Sequence, residues 1–425
     1  MQPLRGTKDI LPDEIIYWQY IYNKALDILS LHNYKEIRTP ILESTELFER
    51  SIGETTDIIN KEMYNFKDQG GRNITLRPEG TASIARAFIN HKMYQKTIQR
   101  LWYYGPMFRY ERPQNGRQRQ FHQLGIECIG SLNPMADAEV IHLAHKLLNQ
   151  MKLNNCVLEI NSIGNLEERE KYQADLIEYL KPYTKDLDQD SQKRLNINPL
   201  RILDSKNIKT QEILYNGPSL NKYLKKQSID HFNLVCAYLD SLQIQYNINH
   251  KLVRGLDYYN YTAFEIKTKL LGAQNTICGG GRYDTLIKQL GGPETPAVGW
   301  AIGLERLLQV TQQQLHIQDN HSNIYIITQG IEAQKKIWQI VKNLENEKIN
   351  FELDLSNTSL KKQIKRAIKS GAELCILVGE DEIINNCITI KILNKHKQYT
   401  IPYENLLNEI HQLLVNKNRI IIDKK

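Results

Sequence analysis

The chain has 425 residues, 41% hydrophobic and 24% charged, with a formal net charge of +7. That is the composition of a soluble globular protein of two or three domains. Its apolar stretches, such as Ile420–Ile422 and Ala372–Gly379, fall far short of the roughly 20 residues a membrane span needs, so no membrane partner is expected.

The opening residues Met1–Thr7 hold neither an apolar signal core nor an Arg/Ser-rich transit pattern. A cytoplasmic location is expected, or the stroma or matrix of an organelle that encodes the chain. Asp13–His32 has helical spacing, with Ile16, Tyr20, Ala25 and Leu26 on one side, and Tyr34–Pro40 reads as a strand closed by proline. Asn73–Leu76, Gln99–Arg109, Gln120–Gly130 and Val157–Ser162 have strand patterns. Their close spacing, without regular crossover helices, favours an antiparallel sheet flanked by helices, an α+β arrangement.

From about Leu166 to Gln243 (168–243 at the narrowest) the chain turns polar and helical, as an inserted subdomain would. It is either a spacer or a clamp on a large substrate. Strand signals return at Lys251–Val253, Ala263–Lys267 and Asn275–Gly279, followed by a helix at Gly303–Thr311. The aperiodic stretch Thr311–Ser322 is the predicted linker, dividing residues 1–320 from 322–425. Beyond it, strands at Asn323–Thr328, Phe351–Leu355 and Leu374–Val378 alternate with helices at Glu332–Glu347 and Leu360–Ser370, predicting a small α/β domain with a mixed sheet. Residues 322–425 carry 16 Lys/Arg against 12 Asp/Glu, a mild excess that permits a polyanionic partner.

Six cysteines, Cys128, Cys156, Cys236, Cys278, Cys375 and Cys387, stand apart without a Cys-x-x-Cys pair, so no zinc site and no metal ligand from the protein is expected. Arg109, Arg112, Arg117 and Arg119 crowd one predicted hairpin and would repel one another unless anions lie nearby. Guanidinium forks bind phosphate bidentately, which makes a polyphosphate the natural guest. Arg77-Pro78-Glu79-Gly80-Thr81 offers an acid and a hydroxyl at a turn, suited to an ammonium group, although such turns are common. Gly279-Gly280-Gly281 lacks the spacing and Lys-Ser/Thr of a P-loop, and reads as side-chain-free strand on which a substrate can lie.

The run Tyr104–Glu127 resembles motif 2 of class II aminoacyl-tRNA synthetases in its histidine-specific form. Tyr34–Glu43 resembles motif 1, which lies at a dimer interface in that family, and Ala297–Arg306 resembles motif 3. Leu252-Val253-Arg254-Gly255-Leu256-Asp257-Tyr258-Tyr259 and Cys278–Asp284 resemble the two peptides peculiar to histidyl-tRNA synthetases, and the terminal domain resembles their anticodon-binding domain.

The resemblance implies ATP, L-histidine and tRNA(His) as partners, Mg²⁺ accompanying ATP, and a homodimer. It implies Arg109 and Arg254 as catalytic residues that also belong to the histidine site: Arg109 would bridge the α-phosphate and the substrate carboxylate, and Arg254 would approach the α-phosphate from the other side. Arg117 and Arg306 would hold the β- and γ-phosphates, with Mg²⁺ bridging them. Phe121 and Arg306 would sandwich adenine, whose amino group Glu111 would read. Glu127 and Tyr259 would read the imidazole and Tyr258 would line its pocket, while Glu79, Gly80, Thr81 and Gln123 would surround the α-amino end. Lys361, Lys365 and Lys369, at i, i+4 and i+8, would face RNA backbone. A regulatory protein on the same fold is the main rival, but the terminal domain and the full set Arg109, Glu127, Arg254, Tyr259 and Arg306 weigh against it. A synthetase for another amino acid is countered by the two histidine-specific peptides.

Overall fold

A computed structural model of the chain describes every residue except 54, 55, 57, 114, 115, 272–274, 316, 318–323, 396 and 414–425. Two sequence expectations therefore lie largely or wholly outside the described residues: the linker beyond Leu315 and the apolar run Ile420–Ile422. The chain forms two compact units, Met1–Ile317 and Gln318–Lys425.

In the first unit the strands run β1 (Lys35–Glu36), β2 (Leu42–Ser44), β3 (Tyr64–Lys67), β4 (Asn73–Leu76), β5 (Gln99–Phe108), β6 (Gln120–Ile129), β7 (Val157–Ser162), β8 (Tyr246–Ile248), β9 (Asn260–Lys267), β10 (Thr276–Arg282) and β11 (Ala297–Gly303). β2, β4 and β3 make a small antiparallel sheet. The main eight-stranded sheet is ordered β1-β5-β6-β11-β10-β9-β7-β8. Its central pairs are antiparallel, as expected, whereas the edge pairs β1/β5 and β7/β8 are parallel.

Alternation along these strands gives the sheet two unlike faces. One carries Trp102, Leu124, Ile126, Phe264, Cys278, Trp300 and Ile302, buried against helices Pro12–Leu31, Pro134–Gln150 and Lys226–Ser241. The Trp300 indole donates to the Val140 carbonyl at 2.8 Å and pins the second of these helices. Local signals begin the helices: proline and two acids in the first turn of Pro12–Leu31, and an Asn133 cap on Met135 N–H before Pro134–Gln150. The other face is covered in part, where Leu101, Tyr103, Met107 and Ile129 join a second hydrophobic cluster, and is open over Gly279, Gly299 and Ala301.

The insertion comprises helices Leu166–Leu180, Gln189–Ile197, Ile208–Tyr215 and Lys226–Ser241 with intervening 3₁₀ turns. It is no detached spacer. Tyr172, Leu176, Leu180, Leu195, Ile202 and Leu214 join one hydrophobic cluster with Val253, Tyr258 and Tyr259. Buried Glu168 closes a capping box with Asn165 and also accepts from Ser228 Oγ at 2.6 Å, tying the insertion's first helix to its last.

Some sequence expectations fail locally. Lys251–Val253 is a loop, held where the Leu252 carbonyl accepts from Asn161 Nδ2 at 3.0 Å, and the paired strand nearby is the more polar β8. Only Lys35–Glu36 of Tyr34–Pro40 joins the ladder.

The second unit contains β12 (Ile324–Thr328), β13 (Phe351–Leu353), β14 (Leu374–Val378), β15 (Cys387–Ile392) and β16 (Lys397–Pro402), ordered β13-β12-β14-β15-β16. The first three pair parallel and the last two antiparallel, giving a mixed sheet. Helix Ile331–Asn346 covers one face and helix Leu360–Lys369 the other. On the latter, Ala367 is buried while Lys361, Lys362, Lys365 and Lys369 are exposed. Arg366 is anchored to Asp354 at 3.0 Å.

Candidate active site

The open face of the main sheet floors a cavity of about 270 Å³. Its walls include all but Gly80 of the residues that the resemblance assigns to histidine and ATP: Glu79, Thr81, Arg109, Glu111, Arg117, Phe121, Gln123, Glu127, Arg254, Tyr258, Tyr259 and Arg306. Gly80 lies beneath, where the Tyr103 ring packs so closely that a Cβ would overlap it.

Glycines let functional side chains lie flat on this floor. A Cβ at Gly279 would overlap the Arg254 guanidinium, and one at Gly299 would overlap the Glu127 carboxylate. Gly280 points the other way, into contact with Phe264 and Trp300, so only Gly279 and Gly281 of the triple-glycine peptide belong to the open face.

At one end the site is dry and closely hydrogen-bonded. Glu127 is 1% exposed and accepts from Thr81 Oγ1 at 2.7 Å and from the Tyr283 hydroxyl. Burial pushes its carboxyl up to about 8 despite those two donors. Tyr258 and Tyr283, ring centroids 5.5 Å apart, are held well above the usual phenol range by burial first, and then by the Glu79 carboxylate for Tyr258 and the Glu127 carboxylate for Tyr283. Glu79 accepts from the N–H groups of Thr81 at 2.9 Å and Ala82 at 2.7 Å, capping helix Thr81–Asn90. Burial raises its carboxyl, and those two N–H groups counter the rise.

At the other end guanidinium groups gather. Arg109 Nε donates to the Pro78 carbonyl at 2.9 Å, and its guanidinium stands 5.3 Å from the centroid of the Phe121 ring. Arg306 donates to the Thr276 carbonyl at 3.1 Å, and Arg117 pairs with Glu111 at 2.9 Å. Burial lowers Arg306, and the positive charges of Arg117 and Arg109 lower it further, while the Glu111 and Glu265 carboxylates oppose the fall. Arg254 approaches from the opposite wall, paired with Glu265. Burial pulls it down, but the Glu265 carboxylate outweighs this and holds it above its ordinary value.

The sequence expectation that four hairpin arginines converge is corrected here. Arg109 and Arg117 line the cavity, whereas Arg119 folds over the Tyr110 ring, 3.7 Å from its centroid. Arg112 is not among the lining residues. Sequence reasoning also passed over Tyr283, Glu265 and Glu305. Tyr283 stood inside a quoted peptide but had no partner until the fold supplied Glu127. Glu305 accepts from the His122 backbone N–H at 2.9 Å and joins the start of β6 to helix Leu304–Thr311. No group of three or more His, Cys, Asp or Glu side chains suited to a metal occurs among the described residues.

A family model described as histidyl-tRNA synthetase matches residues 6–307. The chain belongs to the histidyl-tRNA synthetase family. A second model, described as an anticodon binding domain, matches residues 323–413. The chain is 69% identical over 413 residues to a chloroplastic histidine--tRNA ligase of Gracilaria tenuistipitata var. liui, covering 97% of this chain and 98% of that one. It is 52% identical over 414 residues to the histidine--tRNA ligase of Cyanothece sp. (strain PCC 7425 / ATCC 29141), covering 97% and 96%. The crystal structure of apo S. aureus histidyl-tRNA synthetase superposes with a TM-score of 0.80 at 36% identity, covering 96% of this chain and 99% of that one. Both the motif resemblance and the open-faced antiparallel sheet are thus those of this synthetase family.

Proposed function

We infer that the chain is a histidine--tRNA ligase, which activates L-histidine with MgATP and passes it to the 3′ end of tRNA(His). The observation that carries this reading is the joining, on one glycine floor, of a buried acid–phenol pocket to a cluster of guanidinium groups. In the first step a histidine carboxylate oxygen attacks the α-phosphorus and pyrophosphate leaves. In the second, the terminal 3′-hydroxyl attacks the acyl carbon of the adenylate and AMP leaves.

In this reading Arg109 and Arg254 flank the α-phosphate and carry the charge that develops on it; groups acting this way typically contribute about 10²–10³ in rate. Arg117 and Arg306 take the β- and γ-phosphates, Phe121 stacks on adenine and Glu111 reads its amino group. Mg²⁺ enters as part of the nucleotide substrate and neutralises its phosphates.

Imidazole presents one donor and one acceptor. Glu127, kept in place by Tyr283 and Thr81, meets the donor, and Tyr259 meets the other nitrogen. Tyr258 closes the pocket, while Glu79, Thr81 and Gln123 surround the ammonium. Analogues that leave these buried groups unpaired are rejected by roughly 10⁴-fold or more.

The exposed Lys361, Lys365 and Lys369 of the second unit contact RNA backbone. A homodimer forms along Tyr34–Glu43, a reading supported by edge strand β1 and by Ile41 and Leu42, 41% and 50% exposed. No helix among the described residues is long and apolar enough to cross a membrane. The chloroplastic relative supports work in a plastid stroma. The test of function is attachment of radiolabelled histidine to a tRNA(His) transcript. Acid-precipitable histidine that depends on ATP and is absent with other tRNAs is the expected result.

A further inference from the structure

The N-terminal turn and Arg119 together close the base of the segment that carries Glu111 and Arg117. The turn is built by Leu4, whose carbonyl accepts from the Thr7 N–H at 2.9 Å and from Thr7 Oγ1 at 2.7 Å. Gly6 at its corner has φ +86°, a left-handed conformation that favours glycine. Its carbonyl receives two N–H groups, those of Arg119 at 2.7 Å and Gln120 at 3.1 Å. A Cβ on Gly6 would lie 2.7 Å from Arg119 Cγ, so glycine is required for contact as well as for conformation.

Arg119 then makes three further connections across the segment. Its carbonyl accepts from the Arg109 N–H at 2.8 Å, its Nε donates to the Glu111 carbonyl at 3.3 Å, and its guanidinium lies on the Tyr110 ring. Tyr110 is itself held, its N–H donating to the Glu62 carbonyl at 2.7 Å and its ring meeting Tyr64 edge-on at 5.5 Å. Arg109 and Glu111 therefore leave the sheet from a base fixed by residues distant in sequence.

Little of this serves the core. Met1 to Arg5 are exposed, Gly6 and Thr7 are half-buried, and Leu4 is 81% exposed. Contacts of this kind contribute modestly to global stability, yet a displacement of about 1 Å at a nucleotide-holding side chain can cost on the order of 10²-fold.

We propose that Gly6 and Arg119 are positioning residues for nucleotide binding: the Gly6 turn and the Arg119–Tyr110 stack hold Glu111 and Arg117 where the nucleotide meets them. The proposal rests on the reading of Glu111 and Arg117 as ATP-binding residues.

The experiment compares Gly6→Val, Arg119→Ala, Tyr110→Ala and Tyr110→Phe in histidine-dependent pyrophosphate exchange, with amide hydrogen exchange at Arg119 and Gln120 followed in parallel. The first three variants should raise KM for ATP roughly tenfold, with KM for histidine changed less than about twofold and melting temperature nearly constant. Tyr110→Phe keeps the stack and should behave as the unaltered chain. Gly6→Val should also strip protection from the Arg119 and Gln120 amides, a readout independent of catalysis. An unaltered KM for ATP, or both KM values rising together with a fall in melting temperature, overturns the proposal. Unaltered amide protection in Gly6→Val overturns it whatever the activity. An unaltered chain without exchange activity overturns the functional reading instead, and the amide readout still decides whether the brace exists.

Discussion

The two ends of the cavity solve opposite problems with the same floor. At the acid–phenol end, Glu127, Thr81 and Tyr283 are buried and hydrogen-bonded to one another, the Tyr258 ring packs on Tyr283, and burial keeps the Glu127 carboxyl protonated well above its ordinary range. At the guanidinium end, Arg109 is tied to the Pro78 carbonyl, Arg306 to the Gly116 and Thr276 carbonyls and Arg117 to Glu111, and the positive charges of Arg117 and Arg109 bear on Arg306. In the proposed reading the first end discriminates, because a wrong guest leaves its buried polar groups unpaired. In the same reading the second end gains most when a polyanion binds. Glycine allows both, because Glu127 lies over Gly299 and Arg254 over Gly279.

The largest effect expected at the guanidinium end is from Arg254→Ala, which should lower the first-order rate of histidine-dependent exchange about 10²–10³-fold while leaving KM for histidine within a few-fold. Gly279→Ala should approach that loss, because its methyl group occupies the guanidinium's place, 2.6 Å from one of the terminal nitrogens. If Gly279→Ala exchanged normally, the flat-floor account of Arg254 would fail.

At the other end, Glu127→Gln should raise KM for histidine by roughly 10²-fold and gain thermal stability as pH rises. The sign follows from the raised carboxyl. The unfolded chain ionises near the ordinary value of 4.5, but the folded one holds its proton up to about 8. Folding therefore loses up to about 1.4 kcal/mol per pH unit between those values, and the loss is complete above the upper one. Melting temperatures of Glu127→Gln and the unaltered chain should diverge in favour of the variant as pH rises from about 5 to about 8, and keep a constant gap above that. Parallel curves would place the acid in water rather than in a dry pocket.

Tyr283→Phe should give a smaller change, about a tenfold rise in KM for histidine, with KM for ATP unmoved. The smallest effect is expected outside the cavity. Lys361→Ala with Lys365→Ala should weaken tRNA charging a few-fold and reduce its salt dependence, with pyrophosphate exchange unaltered.

What could be read beforehand follows from how far apart the interacting residues lie in the chain. The contiguous run from Tyr104 to Glu127 and the short peptides around Arg254 and Gly279 carried the family resemblance in local order, so most of the cavity's candidate side chains were named through them, with Glu79 and Thr81 from Arg77–Thr81 and Arg306 from Ala297–Arg306. Tyr283 escaped because its partner Glu127 is 156 residues away, and Gly6 because its meaning lies in the Arg119 and Gln120 amides. Arg119 was misread for a related reason. Its neighbours in sequence are cationic, but its neighbour in space is the Tyr110 ring. The sheet's central antiparallel pairing could be read from strand spacing. Its parallel edges could not, since β1 and β8 are short, partly polar strands ordered by their neighbours.

The most direct measurement is exchange of radiolabelled pyrophosphate into ATP by the purified chain, with histidine and each of the other nineteen amino acids, alongside Arg254→Ala. Exchange with histidine alone, lost in the variant, is the result this account predicts. Exchange with a different amino acid would contradict the assignment of the acid–phenol end, and histidine binding without any exchange would contradict the reading of the chain as a ligase.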